Sequence, residues 1–204
     1  MKHRQGMRGS PKISAATLAL LVAASCTRSS DHVQNRQVGC HHFPNSEPAL
    51  CELASDGNIV VAKQSLADMA FGPEGLGSIV VDNRGLYFVT RQGKTTPALM
   101  FDNGPDYVVE GLARTVKNGK VGFINTKLDP VVAPIWDFAF PFEHGVAVVC
   151  TGCVSTPASP SGEHRTMTGG KWGYIDKRGK VVVPVVYDFR SLPSVEVAEK
   201  QRAQ

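Results

Sequence analysis

The sequence predicts an all-β fold: three stacked antiparallel β-hairpin repeats behind a small N-terminal segment with one short helix. Three observations carry that expectation. Residues 118–138, NGKVGFINTKLDPVVAPIWDF, recur 51 positions later as 169–189, GGKWGYIDKRGKVVVPVVYDF, with eight of 21 positions identical. Such self-similarity marks a repeat architecture, in which each unit buries its apolar face against the next. Twenty Gly and thirteen Pro suit a chain of short strands and many turns. Helical spacing shows only at Leu66, Met69 and Ala70, within residues 64–71.

The first 25 residues are expected to lie outside the fold. Lys2, Arg4, Arg8 and Lys12 form a basic start, and 13–24 is an apolar run broken only by Ser14 and Thr17. At about 1.5 Å per residue, that run is too short for a hydrocarbon core of roughly 30 Å. This is the pattern of a bacterial export signal. It ends Ala23-Ala24-Ser25-Cys26, and small residues directly before a cysteine resemble the lipobox of bacterial lipoproteins. The resemblance implies that Cys26 is acylated and becomes the first residue. It also implies an outer-membrane anchor facing the periplasm, because Thr27 is not the Asp that retains such proteins. The alternative is an ordinary signal cut near Ser25, leaving a soluble periplasmic protein. Two or three acyl chains, at about 0.8 kcal/mol per buried CH₂, anchor a protein without a spanning helix.

The net charge of +4 comes entirely from that basic start; beyond it, 18 basic residues face 18 acidic ones. A nucleic-acid binder carries a basic surplus, so no nucleic-acid partner is expected. Residues 26–38 are polar and read as a flexible tether. Residues 39–70 read as a small cysteine-containing segment with a short strand after the Asp56-Gly57 turn. Residues 71–190 hold the repeats, and 191–204 remain as a C-terminal tail. Setting aside Cys26 leaves Cys40, Cys51, Cys150 and Cys153, an even number that suggests two disulfides in an exported chain. Three pairings are open, the local one being Cys40 with Cys51 and Cys150 with Cys153.

Within a unit, Leu112 to Lys117 reads as a strand, Asn118-Gly119 as a type I′ turn, and Val121 to Asn125 as the returning strand. Val121 and Phe123 then face one side, Gly122 and Ile124 the other. Gly122 and Gly173 allow another backbone or ring to come close. Val131-Val132 and Val181-Val182-Val183 read as buried third strands ended by Pro134 and Pro184. A worn first copy aligns Val89 with Ile124 and Phe101 with Trp136, so the markers Phe101, Trp136 and Tyr187 step by 35 and 51 residues. The surplus of 16 falls in 151–169, a Ser/Thr/Pro/Gly stretch expected to be an exposed loop.

Lys171-Trp172-Gly173-Tyr174-Ile175-Asp176, followed by Pro184 and Tyr187-Asp188, resembles the WG repeat of bacterial proteins. The middle unit keeps Gly122-Phe123-Ile124-Asn125 with Val121 in place of Trp; the first has Tyr87 in place of the glycine. The resemblance covers roughly residues 71–189. It implies β architecture and brings no shared catalytic residues.

Candidate chemistry is sparse. Cys150-Thr151-Gly152-Cys153 has the form of a redox pair, but it follows a strand rather than opening a helix, so a structural staple is expected. Cys40, His41, His42 and Cys51, or Cys150, Cys153 and His164, lack the paired hooks of a zinc site, so no metal or other cofactor is expected. Asp102, Asp137 and Asp188, one per unit, read as caps of their own turns. Glu143-His144 is not repeated and reads as loop. Ser155, Ser159 and Ser161 lack a nucleophile-elbow setting. Trp136, Tyr174 and Tyr187 read as core rather than a sugar-stacking strip. The expected function is a non-catalytic envelope lipoprotein that binds a protein partner, with peptidoglycan or a glycan as the other possibility. Loop 151–169 is the expected contact element. The alternative is a thiol-disulfide protein using Cys150 and Cys153.

Overall fold

The computed structural model describes residues 36–159 and 165–204. Residues 1–35, where the export signal, Cys26 and most of the tether are expected, lie outside the described residues, as do Ser161 and His164. The chain runs β1 (Arg36–His42), β2 (Pro48–Leu53), β3 (Ile59–Val61), α1 (Lys63–Ala67), β4 (Leu76–Val81), β5 (Gly85–Thr90) and β6 (Thr95–Pro97). It continues through β7 (Met100–Phe101), β8 (Gly104–Pro105), β9 (Leu112–Lys117), β10 (Lys120–Asn125), β11 (Pro130–Trp136) and β12 (Phe138–Ala139). The last elements are β13 (Val146–Pro157), β14 (Arg165–Asp176), β15 (Val181–Tyr187) and α2 (Val195–Arg202). The fold is all-β, with every strand pairing antiparallel.

Three meanders form the repeat: β4–β6 (unit one), β9–β11 (unit two) and β13–β15 (unit three). The period-two alternation of each central strand sends side chains to both neighbours. Leu86 and Phe88 of β5 pack with Ala113 and Ile124 of unit two. Val121 and Phe123 of β10 pack with Ala147, Val149 and Ile175 of unit three. Tyr87 and Val89 face the other way, into a core with Cys40, Cys51, Ile59 and Val61. The units are therefore layered in chain order, and no single meander has to support itself.

Several expectations are corrected. Residues 36–38 are strand rather than tether, and segment 39–70 is not separate. Its strands β1–β3 join unit one in a six-stranded sheet, with Cys40 opposite Val81. Apolar Ile59, Val61, Ile79 and Val81 need each other's cover, which neither half supplies alone. The 151–169 loop is instead a ribbon: Val154, Ser155 and Thr156 pair with Thr168, Met167 and Thr166. These are strand-forming residues, and the ladder between them outweighs the loop-like composition. In place of the Asn118-Gly119 turn of unit two (φ 52° and 72°), unit three has Gly169-Gly170, also at positive φ, with the chain running on past them. The C-terminal tail contains α2, whose fully buried Ala198 packs with Val146, Tyr174 and Val183.

The third strands also differ from expectation. β11 and β15 are sheet edges with one open face, leaving Ile135 and Val186 57% and 60% exposed. Pro134 and Pro184 sit inside them, at a bulge. Val121 pairs with Trp136 and Phe123 with Val132, so two extra residues stand opposite Gly122. The same offset recurs with Trp172↔Tyr187 and Tyr174↔Val183 around Gly173. An edge bulge is where proline is tolerated. Unit one has no bulge: Tyr87 pairs with Pro97 and Phe88 with Thr96, and the Ala98 N–H donates to the Leu86 carbonyl. Ala98, not Phe101, thus stands where Trp136 and Tyr187 stand. Phe101 falls beyond the straight strand, in β7, under the Arg114 guanidinium.

Candidate functional site: the end face of the last unit

Each inner face of the stack is covered by the next unit, whereas among the described residues unit three is followed by α2 rather than by another meander. Its outward face carries Trp172 and Tyr174 from β14 and Val146 and Val148 from β13, and other parts of the chain cover it. Trp172 is 1% exposed and packs with Cys150, Cys153, Met167 and Leu192. Its indole N–H donates to the Gly169 carbonyl at 2.9 Å, and the Phe189 ring lies 4.7 Å away between centroids. The Tyr174 hydroxyl donates to the Pro193 carbonyl at 2.9 Å. Burial, and then the carboxylates of Glu143 and Glu196, raise this phenol above its ordinary pKa of 10.0. It therefore remains a protonated donor at neutral pH.

Between these covers lies a groove of about 670 Å³. Phe140, Pro141 and Phe142 form one wall and Phe189, Leu192, Pro193 and Val195 the other, with Val146, Val148 and Tyr174 beneath. Phe140 and Phe189 are 39% and 52% exposed, and their rings stack at 6.2 Å and 21° across the mouth. Glu143 lies on the rim, with His144 Nε2 3.9 Å from its Oε1. The arrangement offers apolar contact area with a charged edge. Sequence reasoning passed over Phe140 and Phe189. The run Phe138-Ala139-Phe140-Pro141-Phe142 was the signal for Phe140, since it places more aromatic rings than one strand face can bury.

The predicted site residues are distributed differently. Cys26 lies outside the described residues. Cys40 is bonded to Cys51, and Cys150 to Cys153, and all four are buried. His41 is half-buried; His42 is buried beside β4, with neither ring nitrogen hydrogen-bonded. Among the described residues no group of three or more His, Cys, Asp or Glu side chains is placed to hold a metal. Trp136 and Tyr174 are buried and so form no strip with Tyr187. His144 takes the left-handed turn position that Glu110 takes one unit earlier, both at φ 51°.

The recurring aspartates do not cap their own turns. Asp137 pairs with Lys120 at 2.5 Å and accepts the Gly152 N–H at 2.8 Å; Asp188 pairs with Lys171 at 2.9 Å. The Lys120 hydrogen bond and then the Gly152 N–H hold the Asp137 carboxyl below its usual 3.8. The turn cap is the residue ending the second strand: Thr90, Asn125 and Asp176 accept the N–H of Lys94, Asp129 and Lys180. Asp102 lacks this lysine because Gly85 stands in its place. One further pair was not foreseen. Arg114 and Asp106 are fully buried, joined at 3.0 and 2.6 Å, and Arg114 also donates to the Ala139 carbonyl.

The family model for the WG containing repeat matches residues 122–152 and 172–189, which begin at Gly122 and Trp172 of units two and three. No curated protein and no solved structure matches the chain significantly.

Proposed function

We propose that this WG repeat-containing protein is a non-catalytic binding module of the bacterial envelope, anchored through an acylated Cys26 and holding a protein partner at the end face of its last unit. The observation that carries the reading is the groove at that face. Two phenylalanines stand exposed at its mouth although every inner face of the stack is closed. Exposed aromatic surface beside a concavity is what binding sites offer, whereas a repeat scaffold gives no reason to leave it open. The anchor rests on the sequence pattern at Ala23-Ala24-Ser25-Cys26, and a soluble periplasmic form is the alternative location.

Cys150 and Cys153 serve as a staple in this reading. Thiol-disulfide exchange needs an attacking thiolate to reach a sulfur, and both cysteines are buried against Trp172. The staple holds the place where a following unit would otherwise cover the tryptophan.

Two experiments test the proposal. A photoreactive phenylalanine at position 140 or 189 in cells should trap the same discrete partner, and one at Arg84 should not. Smears alike at all three positions would sink the binding site. Cys26→Ala should abolish labelling by a palmitate analogue and release the protein from the membrane fraction; unchanged labelling would remove the anchor.

A further inference from the structure

The chemistry of the groove narrows the partner. This step rests on the binding-module reading and adds what the bound segment must look like. We infer that the groove takes an extended polypeptide segment with an apolar side chain next to a lysine or arginine.

The apolar requirement comes from the walls. Val148, Phe189, Leu192 and Val195 present hydrocarbon to the same space, whose volume lies within the roughly 300–1,000 Å³ of ordinary ligand pockets. The stacked rings of Phe140 and Phe189 narrow its mouth, so an inserted side chain covers surface that water now wets. Such buried anchors dominate interfaces. An extended segment fits because Val146 and Val148 follow one another along β13 on the floor, spaced as the alternate side chains of a strand are.

The basic requirement comes from the rim. Glu143 lines the groove, and Glu196 joins it in acting on the Tyr174 phenol. Cationic groups near them are His144, 3.9 Å from Glu143 and close to Glu196, Lys200, close to Glu196, and Arg202, whose guanidinium lies against Gly145. Lys200 answers one carboxylate. Among the described residues Glu143 has one ion-pair contact, with the exposed His144 at 3.9 Å, the outer edge of such a contact. A cation on the bound segment would complete that pair. Rim charges set selectivity and association rate more than total affinity, so a choice between basic and acidic segments is the signature to look for.

The test uses the full mature chain and two peptides labelled with fluorescein on the N-terminal amine, fluoresceinyl-Gly-Ser-Leu-Phe-Lys-Lys-Gly-amide and its counterpart with Glu-Glu for Lys-Lys, titrated by fluorescence polarisation. The basic peptide should bind at least fivefold more tightly. Phe140→Ala, and separately Phe189→Ala, should weaken it at least fivefold while leaving thermal unfolding cooperative. Glu143→Lys should reverse the preference. Equal binding of both peptides, lost in Phe140→Ala, would overturn the charge inference and leave the binding-module reading standing. Binding of neither peptide, with a discrete crosslink still formed from position 140, would overturn the peptide chemistry alone. Loss of both the crosslink and the binding would end both. Displacement of the basic peptide by a soluble peptidoglycan fragment, or a dimer in light scattering that Phe140→Ala dissolves, would assign the groove to a glycan or to a second copy and overturn the inference.

Discussion

Units two and three fold alike down to a two-residue irregularity, whereas unit one shares their meander and lacks that irregularity. In the later units the third strand bulges opposite a glycine. A Cβ on Gly122 would lie 2.5 Å from the Val132 carbonyl oxygen, and one on Gly173 would lie 2.5 Å from that of Val183. The bulge returns the chain in step, so that Trp136 or Tyr187 stands opposite Val121 or Trp172 and the next residue, an aspartate, reaches its lysine. Unit one has Tyr87 for the glycine, Gly85 for the lysine and a straight third strand. Glycine, bulge and ion pair therefore form one linked device. The β meander and its turn cap, present in all three units, do not depend on it.

Variants test whether the linked device is particular to units two and three. The largest effects are expected at the buried ion pair and in the core of unit one. Arg114→Met with Asp106 retained should cost about 3–5 kcal/mol, because it strands a buried charge, and adding Asp106→Leu should regain most of it in urea unfolding. Tyr87→Gly gives unit one the glycine of its neighbours without their bulge. It should stabilise nothing and cost about 3–5 kcal/mol through the lost ring; any gain in stability would break the claim that glycine serves the bulge. Next, Gly122→Ala and Gly173→Ala should each cost about 1–3 kcal/mol by overpacking against backbone.

Smaller effects separate what is common from what is particular. Thr90→Ala, Asn125→Ala and Asp176→Ala should each cost about 0.5–1.5 kcal/mol, alike in all three units by thermal melting. Lys120→Met and Lys171→Met remove partly exposed pairs and should cost at most about 0.2–1 kcal/mol. The Asp137 pair also has a pH signature. Its carboxyl titrates below 3.8 in the folded protein, so its contribution is present above that value and fades as pH falls through the lowered one. The difference between wild type and Lys120→Met should therefore shrink in acid below about pH 4. A difference that persists unchanged at pH 2 would contradict this pairing.

Much of this was legible without coordinates because repetition compares a chain with itself. The matching Gly122 and Gly173 announced a close approach. Lys120 with Asp137 and Lys171 with Asp188 stood at equal spacing in both copies, which made the ion pair readable, though the aspartates were instead expected to cap turns. The spacing of Phe101 was misleading, since counting along the chain cannot show that a strand runs straight where its homologues bulge. The ribbon at 151–169 was hidden by its composition, because cross-strand pairing is a long-range term that local residue preference does not contain.

The three-unit β architecture, the site of the insertion and the alternation that sends each central strand's side chains to two neighbours were all readable in the residue pattern. These follow from short-range periodicity and from likeness between copies. The cover over unit three, with α2, a disulfide against Trp172 and a groove between them, came instead from long-range packing. That face is closed by segments that are no part of the repeat, so no periodicity describes it, and what stays exposed depends on how well those segments fit.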